Sequence, residues 1–258
     1  MAGATAVRGR PRLVMETCLV LGVSLGRSAV YSILDIVNRL TYQVPLNQQT
    51  SSLNNAVAPD RPWLDFAYQL ARNLFPFCYP LLALYLLWRV WPPGRTPWRA
   101  IGLDASRPRR DIAWGLAGTA LIIGPALGAY LLARQLGLNT TIQMAGLGDT
   151  WWAVPMYLLA AFMNGFLEET VMIGYLFTRW RQAGWHLGAI LVTSAGIRGA
   201  YHLYQGFGGF VSNLVFGLLL GWLYHRTRRL WPPVIVHTMI DVAAFVGYAL
   251  LAGHVDWL

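Results

Sequence analysis

Apolar runs long enough to cross a lipid bilayer recur along the whole of this chain, and that recurrence narrows the available folds more than any other feature. About 20 apolar residues cross the hydrocarbon core as a helix, and only helices and closed barrels satisfy their own backbone there. Seven such runs are read: Leu13–Val37, Phe66–Trp88, Ile112–Leu132, Trp152–Trp180, Leu187–Tyr204, Phe207–Tyr224 and Trp231–Leu251. They are continuous rather than alternating, which marks helices rather than strands. Charged residues make up 12% of the 258 positions, about half the share of a soluble domain. The expected fold is therefore all-α, a polytopic transmembrane helical bundle of about seven to eight spans.

The net charge of +9 comes from arginine alone, with no lysine in the chain. Its distribution argues for a membrane orientation and against nucleic acid as a partner. Fourteen arginines fall in four places: Arg8, Arg10 and Arg12; Arg89, Arg95, Arg99, Arg107, Arg109 and Arg110; Arg179 and Arg181; and Arg226, Arg228 and Arg229. The loops between carry few, so the positive-inside rule puts those clusters and the amino terminus in the cytoplasm. The arginine-rich connection Arg89–Arg110 is expected to be cytoplasmic, and the polar stretch Asn47–Pro62 to form an external loop. Residues 1–97 read as two amino-terminal spans with that linker, and 98–258 as a catalytic membrane core. An integral protein of a bacterial cytoplasmic membrane is the expected setting, with the lipid bilayer as its surroundings.

Pro76 and Pro80 are expected to kink the second span. Glu16, Arg27 and Asp35 interrupt the first, and Arg27 would lie near its centre; it reads as mature sequence rather than a signal peptide. Cys18 and Cys78 are read as buried thiols without a disulfide. The pairs Gly22/Gly26, Gly124/Gly128 and Gly217/Gly221 permit close helix contact, and internal packing is preferred to dimerisation.

A few ionisable groups break the apolar runs. Glu168 and Glu169 lie in the fourth, Arg198 and His202 in the fifth, His237 and Asp241 in the seventh. Each such group at mid-bilayer costs about 3 kcal/mol on insertion scales, so a chain that keeps them is expected to gather them in one pocket. Arg198 and His202 are four apart and share a helix face, as do His237 and Asp241. Glu168 and Glu169 stand about 100° apart around their helix, so one can face a reactive centre while the other serves a structural partner. A straight bundle does not bring these groups level. At 1.5 Å per residue, Glu168 lies about 17 Å from Arg179, His237 about 10 Å from Leu230 and His202 about 24 Å from His186.

The run Glu168-Glu169-Thr170-Val171-Met172-Ile173-Gly174-Tyr175-Leu176 resembles the EExxxRGxL signature of the CAAX-protease and bacteriocin-processing (CPBP, or Abi) membrane proteins. Ser194 to His202 resembles that family's FxxxH segment, and His237 to Asp241 its HxxxN or HxxxD motif. The likeness covers about Trp98 to Ala249. It implies an intramembrane glutamic-type endopeptidase that hydrolyses a peptide bond of a membrane-associated polypeptide, the substrate partner. Glu168 would be the base that activates water, assisted by His202, with Glu169 beside it. His237 and Asp241 would stabilise the oxyanion, Asp241 by orienting His237.

Two positions depart from that pattern. Ile173 stands where the family has arginine, and Arg198 where it has phenylalanine. One turn from their motif partners on antiparallel spans, the two are expected at one depth. Arg198 is therefore expected to pair with Glu169 and to organise the site. Other readings stay open: a divalent metal such as zinc held by His202, His237 and a carboxylate, a silent scaffold or immunity-type regulator, and a transporter with a proton relay. No cofactor is the favoured reading.

Overall fold

The computed structural model describes residues 3–90, 96–252 and 254–255. Arg95 of the second arginine cluster lies outside the described residues, as do the side chains of Arg8 and Arg10. The chain is an α-helical bundle, 77% helical. The helices are α1 (Gly3–Val23), α2 (Leu25–Thr41), α3 (Pro62–Leu74), α4 (Cys78–Val90), α5 (Pro97–Ala100), α6 (Pro108–Gln135), α7 (Ala153–Glu169), α8 (Leu176–Gln182), α9 (Leu187–Tyr201), α10 (Phe207–Thr227) and α11 (Trp231–Leu251). Prolines open several of them, Pro62, Pro108 and Pro232 among them, where a missing N–H costs nothing.

Five stretches are long and apolar enough to cross a membrane: Pro62–Arg89, Pro108–Gln135, Ala153–Gln182, Phe207–Thr227 and Trp231–Leu251. A bent pair, Pro11–Val23 with Leu25–Thr41, is either a sixth, broken span or a re-entrant loop. The expected seven to eight spans roughly fit; the run read as the fifth, α9, is the one not among these stretches. Its fifteen residues rise only about 22 Å, less than the roughly 30 Å hydrocarbon core.

The first expected span is two helices meeting at 56°. At the break the Ser24 hydroxyl donates to the Val20 carbonyl. Gly26 lies so close to the turn before it that a Cβ would stand 2.7 Å from the Leu21 oxygen. Pro76 lies within a 3₁₀ turn, Phe75–Phe77, that joins α3 to α4, and Pro62–Arg89 still counts as one span. Between α7 and α8 the chain widens into a π-helical turn, Thr170–Tyr175, directly after the glutamate pair. Such turns recur at functional sites.

Two short strands, β1 (Thr50–Ser52) and β2 (Thr141–Gln143), pair in parallel at the end of the bundle away from the arginine clusters. They descend onto the end of α9. The Ser51 hydroxyl donates to the Tyr204 carbonyl at 3.0 Å, and the Thr140 N–H to the Gln205 carbonyl at 2.8 Å. The stretch Asn47–Pro62 is thus partly strand, and it packs on the end of α9.

α7 packs against α11, α11 against α6, and α9 between α2 and α10. Small residues set the closest approaches: a Cβ at Gly165 would meet the Thr238 hydroxyl at 2.5 Å, and one at Gly221 the Leu191 side chain at 2.6 Å. The Gly217/Gly221 pair therefore packs internally as expected. Gly124, Gly128 and Gly22 do not, since nothing lies within 4 Å of a Cβ at any of them. Cys18 and Cys78 are free, and both are exposed rather than buried because they face outward from their helices.

Ion pairs fasten the arginine-rich end. Glu16 of α1 takes Arg179 of α8 and the Tyr175 hydroxyl, which accounts for a carboxylate in the first apolar run. Arg229, buried in the α10–α11 turn, holds Asp111 at 2.7 Å and Asp104 at 2.6 Å. Ser106 and Arg229 beside it hold the Asp104 carboxyl well below the usual carboxylate range, and its two acidic partners raise Arg229 in turn. Gly102, at φ +74°, lets the α5–α6 connection lie against that turn, where a Cβ would stand 2.4 Å from the Arg229 Cα.

Candidate active site

The polar residues read from the sequence converge. α7 carries Glu168 and Glu169 at its last two positions, α9 delivers Arg198 and ends at His202, and α11 presents His237 from its second turn. His202 follows the last helical residue, and a 3₁₀ turn, Leu203–Gln205, runs on under the strand pair. α9 begins at Leu187 as expected and ends at Tyr201, where the strand layer meets it through the Ser51 hydroxyl and the Thr140 N–H.

Arg198 is the hub. Its guanidinium, 1% exposed, places Nη2 2.6 Å from Glu169 Oε1 and Nη1 3.2 Å from Glu168 Oε2. The expected Arg198–Glu169 pair is present, and the one cation serves both carboxylates. Ile173 is buried in the apolar core nearby. The Phe216 ring closes the cluster, 5.5 Å from the guanidinium carbon and 5.4 Å, edge to face, from the His237 ring.

The two glutamates divide the work around that hub. Glu169 is completely buried, and its Oε1 lies 2.7 Å from His237 Nδ1. Glu168 lines a cavity of about 1100 Å³ together with His202, His237 and Asp241. Its Oε2 accepts from the Tyr201 hydroxyl at 2.6 Å and stands 4.0 Å from His202 Nε2.

Asp241 differs from expectation. It stands 3.8 Å from His237 Nε2, too far for a direct hydrogen bond, and accepts instead from Asn164 Nδ2 at 3.0 Å. His237 Nδ1 faces Glu169 Oε1 at 2.7 Å and Arg198 Nη1 at 3.4 Å. Sequence reasoning missed Tyr201 and Asn164. Asn164 lies one turn before Glu168 on the same face, a polar interruption that marked it; Tyr201 carried no signal beyond adjacency to His202.

Glu168, Glu169 and His237 bring ligand-capable atoms within 4.8 Å of one another, and His202 is not among them. Arg198 already bonds both carboxylates, and its fixed positive charge opposes a divalent cation in the same space. The residues fit a metal poorly.

The model of a protein family described as type II CAAX prenyl endopeptidase, Rce1-like, matches residues 150–243. That stretch is less than half of the chain, yet it holds every residue of the polar cluster from Asn164 to Asp241. It agrees with the CPBP resemblance of the three motifs. No curated protein and no solved structure matches the chain.

Proposed function

We propose, taking residues 150–243 as a Rce1-like domain, that this protein is an intramembrane endopeptidase in which Glu168 activates water. The family implies a membrane protease. The observation that carries the finer reading is the convergence of Glu168, His202 and His237, from three separate helical segments, on one cavity.

The chemistry follows from the distances. One water can lie within hydrogen-bond reach of both Glu168 Oε2 and His202 Nε2, which are 4.0 Å apart. Glu168 takes a proton from that water as its oxygen attacks the scissile carbonyl carbon. The carbonyl oxygen gains the negative charge. Doubly protonated, with Nδ1–H on Glu169, His237 turns Nε2–H towards that oxyanion, a preorganised donor of the kind that contributes most in a dry site. The C–N bond then breaks, and Glu168 passes its proton to the leaving amine nitrogen. Tyr201 and Arg198 hold the Glu168 carboxylate in position. No step needs a metal.

Water must reach this depth. A second notch of about 400 Å³ is lined by serines, tyrosines, Asp35 and Arg39 and shares Ser28, Tyr31, Tyr201 and Tyr204 with the larger cavity. In this reading water enters past the serines, Asp35 and Arg39 of the notch, while the mainly apolar main cavity receives the polypeptide. The scaffold reading drew its support from Ile173 and Arg198. That support weakens, because Arg198 restores the guanidinium from the neighbouring helix.

The test compares cleaved membrane peptides in cells carrying the wild type or Glu168→Gln. Products present only with the wild type, at equal amounts of folded protein, support the reading. Identical peptide sets refute it.

A further inference from the structure

Asn164 carries an amide into the main cavity, and the chemistry described above gives it no part. It lies on α7 four residues before Glu168, so the two share a helix face, about 6 Å apart along the axis. Its Nδ2 donates to Asp241 Oδ2 at 3.0 Å. Both residues line the cavity that holds Glu168, His202 and His237. Gly165, next in the chain, lies against Thr238, the neighbour of His237, where a Cβ would stand 2.5 Å from the threonine hydroxyl. The crossing of α7 and α11 that fixes His237 therefore fixes Asn164 as well.

The pairing with Asp241 sets which way the amide points. An ionised carboxylate only accepts hydrogen bonds, so the NH2 end of Asn164 faces it. That end carries two N–H groups, and Asp241 takes one. Among the described residues the Asn164 side chain makes no other hydrogen bond, which leaves the second N–H for whatever fills the cavity. Asp241 stands between this amide and the imidazole, its Oδ2 on Asn164 and its Oδ1 3.8 Å from His237 Nε2.

A carbonyl oxygen that gains charge is held best by preorganised donors aimed at it. His237 Nε2–H supplies one. Asp241, as a carboxylate, has no proton to give. We infer that Asn164 is the second oxyanion donor, and that Asp241 is a positioning residue that fixes its amide. The inference rests on the endopeptidase reading and adds a catalytic residue to it. The rise of about 6 Å between Asn164 and Glu168 leaves room for the scissile carbonyl between them. The attacking water then lies on the Glu168 side and the oxyanion on the Asn164 side, each about 3 Å from its partner.

The test follows cleavage by the purified protein in liposomes, using the peptide that the wild type cuts fastest from a library of membrane peptides. Asn164→Leu keeps the side-chain volume and removes both N–H groups. Its kcat should fall about 100- to 1000-fold, with KM changed less than about threefold. Adding Asp241→Asn returns an amide from α11, and should raise kcat at least about tenfold above Asn164→Leu alone. A pair that only braces the two helices predicts no such rescue, because its second partner is then lost too. The same comparison with Asn164→Ala, per mole of folded protein, guards against a folding defect in the leucine variant. A kcat within about threefold of wild type for the single variants, or double variants no faster than the singles, overturns the donor and leaves the endopeptidase reading standing. No cleavage by the folded wild type overturns both.

Discussion

Replacing Arg198 by methionine removes a guanidinium while keeping an apolar side chain of similar length. Two charge-assisted hydrogen bonds go with it, the 2.6 Å contact to Glu169 and the 3.2 Å contact to Glu168, each worth about 1.5–3 kcal/mol. Breaking a buried pair by removing one partner costs about 3–5 kcal/mol, because the other charge stays behind uncompensated. Both routes give about 4 kcal/mol, close to a thousandfold in the folding equilibrium. For a chain of this size that is a fall in Tm of about 8–16 °C. Thermal unfolding of the purified protein in one detergent measures it. Adding Glu169→Gln should recover about half of the loss, since one stranded carboxylate then becomes neutral. A fall below about 3 °C, or a double variant as unstable as the two losses summed, would refute the idea that this cation neutralises the glutamate pair.

Tyr201→Phe removes the hydroxyl that donates to Glu168 at 2.6 Å; a 10- to 100-fold lower kcat with little change in KM is expected, and an unchanged kcat tells against a positioning role. Ile173→Arg with Arg198→Phe rebuilds the CPBP arrangement, so the double variant should unfold at a higher temperature than Arg198→Phe alone; equal midpoints count against exchange between the two positions. The Asp104 carboxyl is depressed by Ser106 and Arg229. Its contribution to stability is therefore full above the unfolded value, about 4, and is lost as pH falls through the lower folded value. Asp104→Asn should flatten the acid limb of stability against pH, and a limb identical to the wild type would contradict that assignment.

Helix class and approximate limits were legible because lipid leaves the backbone few options. The apolar runs Ile112–Leu132 and Trp231–Leu251 gave α6 and α11 within a few residues. The site was legible for a related reason: Glu168, His202 and His237 are too costly in lipid to be scattered. What escaped depends on contacts between distant parts of the chain. β1 and β2 are three residues each, paired across some ninety positions, too short for any period to show. The strand layer they form allows α9 to end at Tyr201, and nothing local to α9 announces that stop. The bend at Ser24 hides in an apolar run because one serine hydroxyl bonds back into its own helix. Asp241 pairs with Asn164 across the α7–α11 contact, a choice made by packing rather than by the i,i+4 spacing to His237.

The most direct test incubates the purified protein, reconstituted in liposomes, with a library of membrane peptides in ¹⁸O-labelled water. Mass spectrometry then reads the new chain ends. Fragments should appear with the wild type and carry heavy oxygen at the fresh carboxyl terminus. They should vanish with Glu168→Gln at unchanged Tm and persist in the presence of a metal chelator. No fragments from the folded wild type, or the same fragments from Glu168→Gln, would contradict a glutamate-activated water at the meeting point of α7, α9 and α11.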